Sequence, residues 1–181
     1  MPQNTLYSVH PTPPTQPPVG NSPQGYLDIL AEPEILANLP HGVPLAAHIL
    51  HPFPLNAPLT RAQVRTICTD MRIDVLEAYA VAMAWGGQNR KYFRTSVIAP
   101  GLPKLLSKLR GGGSRSTDFG ITQTAANPIS GLGISFYTKL LYFFRPTPDA
   151  YILDQWTAKS ARLLPPNHQC SRKTARIISL Q

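Results

Sequence analysis

The sequence predicts a mainly α fold built from short helices with Pro/Gly connections. Apolar residues recur at helical spacing in most segments. Alternating strand patterns are nearly absent. Proline and glycine punctuate the chain often enough to keep each helix short, with 20 and 12 of them in 181 residues.

Residues 1–25 are rich in Pro, Gln, Ser, Asn and Thr and have little to bury, so they read as a disordered or extended lead-in. "YLDILAEPEILANL" has helical spacing in two pieces, interrupted at Pro33. Residues 40–58 read as an irregular, proline-bearing connector. Thr60 is placed to cap a helix running to about Thr69. A second helix is expected from about Ile73 to Trp85. Its "IDVLEAYAVAMAW" leaves almost no polar face, which makes it a central core helix ended by Gly86 and Gly87.

"QNRKYFRTSVIA" reads as a basic segment. "LPKLLSKLR" is a short helix with Leu102, Leu105, Leu106 and Leu109 inward and Lys104, Lys108 and Arg110 outward. Residues 116–126 form one more short helix, and Pro128 breaks the chain. A helix follows Gly133 to about Phe144. "RPTPD" is a turn, and a last helix begins near Asp154 and ends before Pro165-Pro166. Domain limits follow: a lead-in over 1–25, a helical domain over 26–165, and a basic tail over 166–181 that reads as truncated or aberrant.

The net charge of +8 is unevenly spread. Residues 1–90 hold four Arg, no Lys and six acids, for −2; residues 91–181 hold thirteen basic and three acidic residues, for +10. Such asymmetry points the second half at a polyanion, first of all nucleic acid. Arg90, Lys91, Arg94, Lys104, Lys108 and Arg110 are the candidate phosphate contacts. Cys68 and Cys170 have no metal spacing and the five histidines are scattered, so neither a metal site nor a disulfide framework is expected. There is no long apolar run and no basic-then-apolar start, so no membrane span or signal peptide is expected. The expected setting is cytoplasmic, nucleoid-associated in a bacterium, with the chain a monomer.

The chemistry-bearing stretch is "ISGLGISFYTKLLYFF". Gly131-Leu132-Gly133 precedes a helix, an arrangement whose free amides suit a DNA phosphate and that also serves any tight helical turn. Lys139 is the single charge between Ile134 and Phe144, with Ser135 one turn before it. An ammonium in apolar surroundings loses hydration, which favours the neutral, nucleophilic amine. The plain alternative is a lysine that snorkels to water. Asp154 follows "AYIL" after the turn; it suits either a carboxylate of the same cleft or the N-cap of the next helix.

These residues together, "GLGISFYTKLLYFF" and "AYILDQWTAKSA", resemble the core of the helix-hairpin-helix DNA glycosylases, specifically the 8-oxoguanine glycosylase fold. "AVAMAWGG" is similar to a segment of bacterial members, and the likeness covers roughly residues 70–164. The resemblance implies a helix-hairpin-helix glycosylase-like domain that excises an oxidised or modified base by base flipping and Schiff-base chemistry, with DNA as partner and no cofactor. Lys139 and Asp154 become the catalytic pair, Gly131, Gly133 and Ser135 the DNA-gripping hairpin, and Trp85, Tyr142, Phe143 and Trp156 the candidates to stack on the flipped base. In better-known members the lysine comes two residues after the second hairpin glycine. Here that place is Ser135, and Lys139 stands one helical turn later on the same face. A non-catalytic helix-hairpin-helix module and an incomplete glycosylase homologue are the alternative readings.

Overall fold

The computed structural model describes residues 21–40 and 52–153. Eight helices occupy them, and no strand is present among the described residues. They are α1 (Gln24–Leu30), α2 (Pro33–Asn38), α3 (Arg61–Thr69), α4 (Val75–Gly86), α5 (Arg90–Val97), α6 (Leu102–Gly111), α7 (Arg115–Ala126) and α8 (Ile134–Phe144). The mainly helical fold expected from the pattern is the fold observed.

Local signals set the boundaries. Pro33 is the first residue of α2, where its missing N–H costs no helical bond. Thr60 and Gln63 form a reciprocal capping box at the start of α3. Asp74 Oδ1 accepts from the Leu76 and Glu77 amides at 2.8 and 3.2 Å, so α4 begins at Val75 rather than Ile73. Gly87 closes α4 in the left-handed region at φ 68°.

The segment read as merely basic is a helix. Asn89 caps α5 by accepting from the Lys91 amide at 2.8 Å. Phe93 anchors it, buried between the rings of Tyr26 and Tyr79 with centroids 5.1 and 5.6 Å away. That aromatic burial comes from tertiary packing, so the local sequence did not show it.

α4 is the central helix, with every residue from Ala78 to Ala84 fully buried. It packs against α1, α3, α5, α6 and α8, and α8 in turn packs against α3, α4, α6 and α7. The uniformly apolar stretches therefore became the two inner helices. Cys68 lies in this core, where burial pushes its thiol pKa far up and leaves it unreactive.

Arg110 corrects one expectation. It does not face outward with Lys104 and Lys108 but is buried at 9% exposure. Its guanidinium donates to the Cys68 and Ile73 carbonyls at 2.7 and 2.8 Å, tying the end of α6 to the α3–α4 turn. The helix after Asp154 lies outside the described residues.

Candidate active site and nucleic-acid interface

The α7–α8 turn is held from both sides. The Ile129 amide donates to the Ala126 carbonyl at 2.8 Å, and the Leu132 amide to Ile129 at 3.1 Å. Gly131 sits at φ 83°, and a Cβ there would lie 2.5 Å from Tyr92 Cβ. Only glycine meets both demands without strain. Gln88 reaches across from the end of α4 and donates to the Gly131 carbonyl at 2.9 Å. Gly133 is exposed and extended, with nothing within 4 Å of a notional Cβ. It opens α8, whose first amides have no partner within the helix.

Lys139 is 5% exposed and does not snorkel out. Its Nζ donates to Ser135 Oγ at 3.0 Å and lies 4.7 Å from the centre of the Phe136 ring. Its stem rests on Gly86, where a Cβ would come within 2.8 Å of Lys139 Cδ. The glycine that ends α4 thus makes the space the lysine occupies. Ser135 holds the amine one turn back along α8, at the position where the resemblance expects a lysine.

The same face of α8 continues into an aromatic cluster. Phe143 is fully buried and meets the Trp85 ring edge-on at 5.0 Å and Tyr142 at 5.1 Å. Trp85 is 7% exposed and Tyr142 half-buried. Among the described residues, none accepts a hydrogen bond from Trp85 Nε1. Beyond the turn, the Leu153 amide donates to Thr138 Oγ1 at 3.0 Å, so the chain returns to the residue beside Lys139. Asp154 and Trp156 lie outside the described residues.

A family model described as "Putative 8-oxoguanine DNA glycosylase OGG-like protein" matches residues 13–174. The chain belongs to this OGG-like family. No curated protein and no solved structure matches it. The all-helical architecture agrees with an OGG-like helical domain. Membership implies DNA as the macromolecular partner.

The basic groups of the OGG-like chain divide by commitment. Arg90 and Lys91 are exposed on α5, whose Tyr92, 49% exposed, covers Gly131 of the turn. Lys104 and Lys108 are exposed on α6. Arg94 is engaged by Glu32, its Nε 3.1 Å from Oε2. Arg61 and Arg65 lie in the half of the chain that is acidic on balance, so charge alone does not single them out. Arg65 caps the end of α8, donating to the Tyr142, Arg145 and Pro146 carbonyls. Among the described residues, no group of three His, Cys, Asp or Glu could hold a metal ion, and no helix is long and apolar enough to cross a membrane.

Proposed function

We infer that this OGG-like protein is a DNA glycosylase with an associated lyase step, acting on 8-oxoguanine or a related oxidised base. The observation that carries the reading is Lys139: an amine enclosed on α8, aimed by Ser135 and accommodated by Gly86. The turn at Gly131 and Gly133 serves as the hairpin that grips the DNA backbone through open amides. The Trp85-Gly86-Gly87 segment favours a bacterial-type member.

The chemistry starts with a flipped nucleotide. Neutral Lys139 Nζ gives its lone pair to C1′ as the glycosidic C–N bond breaks. That bond's electron pair leaves with the base, which takes up a proton. Asp154 offsets the positive charge that develops on the sugar and receives the proton lost by the amine. The tether from Leu153 to Thr138 supports this pairing, since Asp154 is the next residue. Opening of the C1′–O4′ bond then gives an imine between Nζ and C1′, the remaining amine proton passing to O4′ as its hydroxyl. Loss of a C2′ proton expels the 3′ phosphate and cuts the strand.

Borohydride tests the reading by reducing that imine to a stable amine. With an 8-oxoguanine duplex, the wild-type chain is expected to form a covalent protein–DNA adduct, and Asp154→Asn to form it at least tenfold more slowly. Duplex binding with neither adduct nor base release identifies a non-catalytic module instead.

Gly86→Ala supplies a sharper check. Alanine is the better helix former, but at this last residue of α4 its methyl crowds the buried Lys139 stem, so the two effects oppose and the melting temperature should change little. The new methyl meets the Lys139 stem, and the adduct should form roughly tenfold more slowly, as expected when a reacting group is misplaced. Wild-type kinetics in this variant would remove Gly86 from the account.

A further inference from the structure

Arg61 opens α3 directly after the Thr60 cap. A cation at a helix N-terminus opposes the helix dipole, so the helix itself does not favour it there. Two rings hold it instead: its guanidinium carbon lies 5.4 Å from the centre of Trp85 and 5.5 Å from that of Tyr142. The side chain is exposed, and among the described residues no carboxylate or hydrogen-bond acceptor engages it. A planar, permanently charged fork with its donors open is suited to a phosphate.

The two rings belong to α4 and α8, the helices that meet at Lys139. Tyr142 follows Lys139 on α8 at helical i,i+3 spacing, which puts their Cβ atoms about 5–6 Å apart. Trp85 precedes Gly86, on which the lysine stem rests. Of the other arginines among the described residues, Arg65 lies on carbonyls, Arg72 on Asp70, Arg94 on Glu32, Arg115 on the Asp149 carbonyl, Arg110 and Arg145 in the interior, and Arg90 over the Tyr26 ring beside Gly25.

The geometry points to Arg61 as a phosphate-positioning residue. It grips a backbone phosphodiester next to the target nucleotide and so sets C1′ against the Lys139 amine. This assignment rests on the glycosylase reading.

The test measures binding of the full chain to an 8-oxoguanine duplex between about 50 and 200 mM salt, together with the limiting single-turnover rate of adduct formation. Arg61→Met keeps an unbranched chain over the rings and removes the charge. It is expected to bind roughly tenfold more weakly and to lower the slope of log K against log salt by about 0.9, the value of one phosphate. Arg61→Lys should restore the slope but not the limiting rate, because it returns the charge without the planar fork. Arg72→Met, remote and already paired, should leave the slope unchanged.

Wild-type affinity and slope in Arg61→Met overturn the assignment, as does a lowered melting temperature with an unchanged slope, which marks a packing residue. If Arg61→Met fails to fold, a wild-type limiting rate in Arg61→Lys overturns it. A wild-type chain without salt-dependent duplex binding overturns the glycosylase reading and this assignment with it. Wild-type binding with no effect at Arg61 removes the assignment alone.

Discussion

Lys139→Gln is expected to yield no borohydride-trapped adduct, with base excision slowed by on the order of 10²–10⁴-fold, the usual worth of a positioned catalytic group. Glutamine is chosen because its amide can still reach Ser135 Oγ, which holds the lysine amine at 3.0 Å. Its shorter stem leaves part of the space over Gly86 unfilled, at a cost on the order of 1 kcal/mol. The fold therefore survives and the nucleophile does not. Slow residual release of base without covalent capture is the pattern expected if Asp154 still assists water. An adduct undiminished in this variant would move the imine to another amine. Lys104 and Lys108 would be the first alternatives, because they are exposed on α6.

The parts of the fold visible in the sequence were those fixed by local rules. Thr60 announced α3, and the unbroken apolar runs of α4 and α8 announced the two inner helices. Ser135 and Lys139 were legible as neighbours because helical i,i+4 spacing puts them on one face, and the hydrogen bond between them follows from it. What escaped was set by partners distant in sequence. α5 depends on Phe93 packing between Tyr26 and Tyr79. Arg110 borders the leucine face of α6, and the carbonyls of Cys68 and Ile73 draw it inward. Gly86 read only as a helix stop, although its missing side chain is also what admits Lys139. Nothing local marks Arg61, whose place is set by Trp85 and Tyr142, distant in sequence.

Arg145→Met is expected to destabilise the fold by about 3–5 kcal/mol, the cost of stranding a buried charge. Arg145 follows α8 directly and is 1% exposed. It pairs with Asp118, itself 2% exposed on α7, and holds Asp149 through two bonds of 3.1 Å. A further bond of 3.2 Å reaches the Gly113 carbonyl, in the loop before α7. One guanidinium thus joins the end of α8, the start of α7 and the turn beyond. Methionine fills similar volume but leaves the Asp118 carboxylate buried without its cation. For a domain of this size the melting temperature should fall by on the order of 10 °C. Adding Asp118→Asn to Arg145→Met removes the stranded charge and should recover a large part of the loss at neutral pH. Thermal melts of the wild type, the single variant and the double variant at pH 7 decide the matter. A single variant within about 1 kcal/mol of wild type at pH 7 would show that water compensates Asp118 and that the network is not what locks α7 to α8.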